Sequence, residues 1–140
     1  MSLSAFLAQN AVKVENVKYA ASPRFVEGGK PVEWEIRCIS STEDEALRKD
    51  STKRVPVPGK RGAYTQETDY NLYLGRLAVA CTVSPNLNDQ ELQDSYGVMG
   101  ADVLLKTMLT PGEYANYLAK VQEVCGYDKT LQDEVDEVKN

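Results

Sequence analysis

Histidine is missing altogether from this chain of 140 residues, which removes the commonest general base, the commonest metal ligand and every triad built on imidazole. No apolar run is long enough to span a bilayer. The first ten residues place Leu3, Phe6 and Leu7 at helical spacing, but they lack the basic stretch and long apolar core of a secretory leader. Basic charge is scarce as well: 16 Lys and Arg stand against 21 Asp and Glu, a net charge of −5 and a pI near 4.8. That balance argues against a phosphate-backbone ligand, whose binders concentrate Lys and Arg on one face. One basic run exists, Lys53-Arg54 and Lys60-Arg61 around Val55-Pro56-Val57-Pro58-Gly59, and it fits a loop or hairpin with local positive charge. Gly59-Lys60-Arg61-Gly62 lacks the spacing of a phosphate-cradling loop. The three cysteines, Cys38, Cys81 and Cys125, are odd in number and far apart in sequence, each on the apolar face of an expected element. They fit reduced core residues of a cytosolic protein.

A chain of this length makes one domain and buries about two thirds of its unfolded surface. We place that domain at residues 1–128, with 129–140 as an acidic, frayed segment in which Leu131, Val135 and Val138 keep helical spacing.

The first half carries the strand signals. Val32, Trp34, Ile36 and Cys38 alternate with Glu33, Glu35 and Arg37, the period of a strand with one buried face that Trp34 anchors. Val12 to Tyr19 is a second strand whose alternation slips near Glu15 and Asn16, where a bulge would explain it. Gly28-Gly29-Lys30-Pro31 forms the turn in a connection too long for a simple hairpin. Val55 to Tyr64, punctuated by Pro56, Pro58, Gly59 and Gly62, is an edge hairpin or an ordered loop, since proline cannot donate to a central ladder.

Helices follow. Thr42 caps a short helix to about Lys49, with Glu45 at N3. From Glu67, Tyr70, Tyr73, Leu74, Leu77 and Cys81 share one helical face that ends before Pro85. Asn88 and Glu91 suit a capping box, Leu87 and Leu92 a hydrophobic staple, and Gly97 a stop. The same grammar recurs with Thr110, Pro111 and Glu113, the staple pair Leu109 and Tyr114, a face of Tyr117, Leu118, Val121, Val124 and Cys125, and Gly126 as the left-handed end. A cap contributes about 1 kcal/mol and a fully buried large apolar side chain roughly 1.5 to 3 kcal/mol, so packing holds such a helix and caps fix its ends. Strands early and helices late give an α+β class, a small antiparallel sheet from the N-terminal half packed against helices of the C-terminal half.

Between the two capped starts, Ala101 to Leu109 carries Leu104, Leu105, Met108 and Leu109 on barely two turns, too short to stand alone in water. Plain core packing accounts for all four. A sharper reading makes Leu92, Tyr96, Val98, Met99, Leu105, Met108 and Leu109 a contact surface, with the thioethers of Met99 and Met108 lining a groove for an apolar partner segment. Acidic clusters offer no comparable site: Glu43, Asp44 and Glu45 open a helix, and Asp133, Glu134, Asp136 and Glu137 form a solvated run. A small hydrolase using paired carboxylates would need a deep pocket holding two acids of raised pKa.

Several segments together, Ser22-Pro23-Arg24-Phe25, Gly29 through Arg37, Leu47-Arg48-Lys49, Pro85-Asn86-Leu87, Leu92 through Gly97, Leu104-Leu105, Met108-Leu109 and Gly112-Glu113-Tyr114, carry a resemblance over nearly the full length. The chain resembles the XkdN-like tail assembly chaperones of long-tailed phages and defective prophages of Gram-positive bacteria. The resemblance implies a non-catalytic chaperone without cofactor or metal, working in the host cytoplasm and absent from the mature virion. Its partner would be the tape measure protein, held soluble while tail tube protein polymerises around it, with no nucleic acid and no membrane involved. It also implies a longer, frameshifted form of the same chain, for which the codons of Val138-Lys139-Asn140 can hold a slippery run of adenines. The alternative is a structural tail or head-tail component retained in the virion.

Overall fold

The computed structural model describes residues 2–127, so the expected helix around Leu131, Val135 and Val138 and the boundary at 128 lie outside the described residues. After a 3-10 turn at Ser4–Phe6, three short strands, β1 (Val17–Tyr19), β2 (Val26–Glu27) and β3 (Lys30–Pro31), precede β4 (Trp34–Ile36). Then come α1 (Ser41–Asp50), the pair β5 (Thr52–Pro56) and β6 (Tyr64–Thr68), α2 (Tyr70–Cys81), β7 (Thr82–Ser84), α3 (Gln90–Ser95), α4 (Ala101–Met108) and α5 (Pro111–Val124). The α+β expectation holds. The main sheet is antiparallel in the order β1-β4-β7, and β2-β3 and β5-β6 are separate hairpins.

Sequence alternation works as expected in β4, where Trp34 and Ile36 turn inward and are buried while Glu35 on the other face accepts from Lys18 Nζ at 2.6 Å. The second strand is shorter than its pattern. Only Val17–Tyr19 finds a partner, opposite Ile36, Glu35 and Trp34, and Val12 is 97% exposed. A strand needs a neighbour as well as a period, and β4 supplies three residues of edge. The irregularity is displaced too: between Glu35 and Ile36 the partner register jumps from Ser84 to Thr82, so the bulge skips Val83 and not Glu15 or Asn16. The long connection folds a small hairpin of its own, in which Gly28 and Gly29 both take positive φ (59° and 79°), as a two-residue turn matched to strand twist requires. Val55 to Tyr64 belongs to a hairpin, as expected, with five residues in each strand.

Two helix starts are shifted. Ser40, not Thr42, caps α1 by accepting from Glu43 N, since a run of three hydroxyl residues offers several caps that local grammar cannot rank. Asp89, not Asn88, caps α3, because Asn86 Oδ1 takes the Asn88 N–H at 3.1 Å and holds Asn88 in the preceding turn. The α5 start is as anticipated, with Thr110 and Glu113 forming a full capping box and Pro111 at the first position. Its end is a Schellman closure: the Gly126 N–H reaches Glu123 O and the Tyr127 N–H reaches Gln122 O, with Gly126 at φ 93°.

The core is organised around α2, which buries Tyr73, Leu74, Gly75, Leu77, Ala78 and Cys81 and packs against α1, α4 and α5. Gly75 has a steric reason to be there. A Cβ at that position would lie 3.1 Å from Tyr114 Oη of α5, a close approach that offsets the roughly 1 kcal/mol glycine costs inside a helix. The sheet meets α5 through aromatic rings, Trp34 edge-on to Tyr117 at 5.1 Å between centroids. The Tyr117 hydroxyl is partnered by Thr82 Oγ1 at 2.6 Å, so the ring is buried without stranding its polar end. Among the described residues no helix is long and apolar enough to cross a membrane.

Candidate partner-binding surface

The segment from α3 to α4 is built outward by two glycines. Gly97 closes α3 in the left-handed region (φ 67°) and Gly100 opens α4 at φ 109°, bracketing Val98 and Met99. The Val98 N–H returns to Gln93 O and the Gly97 N–H to Asp94 O, a second Schellman closure. Gln93 then pins the far side: its Oε1 accepts from Gly100 N at 3.1 Å and its Nε2 donates to Leu87 O at 2.9 Å. The loop is therefore fixed at both ends, and Met99 stands on it 90% exposed.

The seven expected contact residues divide sharply. Leu105, Met108 and Leu109 are inside the core, where a helix of eight residues must place its apolar face to persist. Leu92, Tyr96 and Val98 are half-buried and pack against that core. Met99 is fully presented, and on α4 Val103 joins it as an exposed apolar side chain. The groove between Met99 and Met108 that the sequence suggested is not formed, since Met108 faces inward.

Concavities lie elsewhere among the described residues, and two of them bear on this surface. One, of about 320 Å³, lies where α1, α2 and the first turn of α4 meet and is lined by Leu47, Arg76, Val79, Ala80, Ala101 and Asp102. Ala101 and Asp102 follow Met99 by two and three residues, so the loop that bears Met99 leads directly into the α4 wall of this groove. Arg76 at its rim is oriented by donating to Asp50 O at 2.9 Å. The other, of about 190 Å³, is walled by Phe25, Val32, Trp34, Pro85 and Met108. Sequence reasoning missed both, although Phe25, Val32, Trp34, Pro85 and Met108 all fall in the segments that carry the resemblance. Separately, Leu3, Phe6, Val12 and Val14 are exposed along the N-terminal arm.

The Ser22-Pro23-Arg24-Phe25 segment has a structural task. Arg24 donates to Glu113 Oε1 at 2.7 Å and to Met108 O at 2.6 Å, and the buried Ser22 hydroxyl donates to Glu113 Oε2 at 2.7 Å. Glu113 also accepts from Thr110 N. The Arg24 guanidinium first, then the Thr110 amide and the Ser22 hydroxyl, hold its carboxyl down to about 2. A second polar knot joins α1 to α2: Asp44 accepts from the Tyr73 hydroxyl and from Arg48 Nε, and the Arg48 guanidinium lies over the Tyr73 ring. Burial, followed by the bond to Asp44, pushes the Tyr73 phenol far up. Glu113 is therefore held away from the raised pKa that a general acid near neutral pH needs. Among the described residues no cluster of three or more Cys, Asp or Glu is placed to hold a metal ion.

Comparison with known proteins agrees with this architecture. YqbN of Bacillus subtilis (strain 168) is 31% identical over 140 residues, covering 99% of this chain and 93% of the relative. The phage-like element PBSX protein XkdN of the same organism is 27% identical with the same coverage. A crystal structure of YqbN superposes with a TM-score of 0.78 at 29% identity, covering 91% of this chain and 98% of that one. The phage XkdN-like tail assembly chaperone family matches residues 3–139, and the chain belongs to that family.

Proposed function

We propose that this tail assembly chaperone works without catalysis by binding the tape measure protein and keeping it soluble while tail tube subunits assemble, in the host cytoplasm, and that it leaves before the virion is complete. The observation that carries the reading is Met99, held out on a loop that Gln93 and two glycines fix and that runs directly into Ala101, a wall of the groove shared with Leu47, Val79 and Ala80. A long helical client offers apolar side chains at i, i+3, i+4 and i+7, and such a groove takes one or two of them at a time. A thioether adapts to whichever residues of a repetitive client pass over it. Shallow contact of this kind gives fast dissociation, as a factor displaced by polymerising tube protein needs. Residues 1–128 act as the binding unit, with 129–140 as an acidic extension, and a frameshifted longer form is the second partner in the same assembly.

Co-expression tests the reading. With this chain present, tape measure protein moves from the pellet to the soluble fraction and the two elute together. If it stays insoluble and no complex forms, the proposal is wrong. Mass spectrometry of purified particles separates it from the structural alternative, since a retained tail component would appear at stoichiometric copy number. For the frameshift, an uninterrupted slippery adenine run across the codons of Val138-Lys139-Asn140 is expected.

A further inference from the structure

The three cysteines, far apart in sequence, meet in space. Cys81 ends α2, Cys125 caps the C-terminus of α5 and Cys38 follows β4, and all three are free thiols. Cys81 Sγ lies 3.7 Å from Cys125 Sγ, and Cys38 is near enough to Cys125 for the two thiols to influence each other. Core packing accounts for Cys81, which is fully buried. Cys125 packs against the same core but is half-buried and opens onto a cavity of about 80 Å³ lined also by Ile39, Ser40, Ser41, Asp44 and Tyr127. A water needs about 10–15 Å³ of such space, so a hydrogen peroxide molecule fits there beside polar groups that can orient it.

The environment separates the roles of the thiols. Cys125 receives the Cys81 thiol first and the Ile39 amide N–H, and this donation outweighs burial and brings it down to about 6, while the Cys38 thiol donates to Ile39 O at 3.3 Å. Cys81 moves strongly the other way, because it donates to Cys125 and is buried. Burial likewise pushes Cys38 up. Cys125 is thereby favoured as the thiolate of the pair, and because it, and not the fully buried Cys81, opens onto the cavity, it is the sulfur that a peroxide can reach.

We propose that Cys125 and Cys81 form a peroxide-reactive dithiol, Cys125 attacking and Cys81 resolving, which closes a disulfide between the end of α2 and the end of α5. In the first step the Cys125 thiolate attacks one peroxide oxygen, the O–O bond breaks, a sulfenic acid forms and hydroxide leaves to take up a proton as water. In the second, Cys81 gives its proton to the departing hydroxyl and its sulfur attacks the Cys125 sulfur. The S–O bond breaks, the S–S bond forms and a second water leaves. Two thiols are oxidised by two electrons in total and one peroxide is reduced to two waters. The product clamps the ends of two helices that already pack on each other.

The test uses the full reduced chain, freed of metal by a chelator, treated with one equivalent of hydrogen peroxide, then alkylated and mapped by mass spectrometry. Expected is the loss of two hydrogens, a Cys81–Cys125 crosslink within one chain, and Cys38 carrying the alkyl group. The rate should rise with pH to a midpoint near 6, well below the roughly 8.5 of a free cysteine. Cys125→Ser should lose the fast phase, and Cys81→Ser should hold a sulfenic acid at position 125 that dimedone traps. A crosslink through Cys38, pairing between chains, three thiols left free, or a midpoint above 8 each overturns the assignment. Mapping of the unmutated chain decides the matter even if a variant folds poorly.

Discussion

Arg24 and Glu113, 89 positions apart, form a 2.7 Å ion pair that ties the turn after β1 to the first turn of α5. The same guanidinium nitrogen also satisfies the Met108 carbonyl at the end of α4. The α4–α5 corner is thereby fixed from outside by a residue of the N-terminal half. Glu113 serves both its own helix cap and this distant clasp.

The clasp should be sensitive to acid in one direction only. Glu113 titrates lower folded, at about 2, than the roughly 4.3 of an unfolded glutamate, so its stabilising effect is complete above that ordinary value and is lost as pH falls toward 2. Urea unfolding of the wild type and Glu113→Gln should differ by a constant amount between pH 8 and pH 5. The difference should shrink steadily below it, and a gap independent of pH down to the acid limit would contradict the clasp.

Trp34 joins the sheet to α5 through Tyr117, and Trp34→Ala should cost about 3–5 kcal/mol by chemical denaturation. Tyr117→Phe should cost only about 1 kcal/mol. Thr82 Oγ1, which it leaves behind, still donates to Ala78 O at 2.7 Å.

Two glycines should respond oppositely to alanine. Gly97 sits at φ 67°, so Gly97→Ala should destabilise by about 1–2 kcal/mol. Gly112 lies in the first turn of α5 with nothing within 4 Å of an added Cβ, so Gly112→Ala should stabilise by about 0.4–1 kcal/mol through the unfolded chain. Thermal melts of the pair suffice.

Presentation and packing can be separated on α4 and the loop before it. Met99→Ser should leave stability within about 0.5 kcal/mol of wild type and weaken retention of soluble tape measure protein. Leu105→Ala should cost about 2–5 kcal/mol through a cavity. If Met99→Ser retains client as well as wild type, the contact lies elsewhere.

What the sequence disclosed was whatever a short stretch determines alone. The α5 boundaries are legible because Thr110, Pro111, Glu113 and Gly126 satisfy its end groups within a few residues, and the buried face of β4 follows from strict alternation. Elements that exist by virtue of a distant neighbour were hidden. Thr82–Ser84 carries no strand signal after a helix and becomes β7 because β4 offers it a free edge. Val12 and Val14 have the alternation and no edge to meet. At the surface, Met99 was legible as an apolar residue between glycines, whereas the inward turn of Leu105, Met108 and Leu109 depends on how α4 docks on α2. The grooves and the thiol cluster are properties of assembly, formed by residues up to 87 positions apart, Cys38 and Cys125, and no spacing rule announces them.

The passage from α2 into β7 has no loop: Cys81 is the last helical residue and Thr82 both caps the helix and begins the strand. A joint without slack transmits torque. A tilt of α2, which supplies Val79 and Ala80 to the groove, therefore passes straight into β7, the outer strand of the sheet, with no flexible segment between them to absorb it.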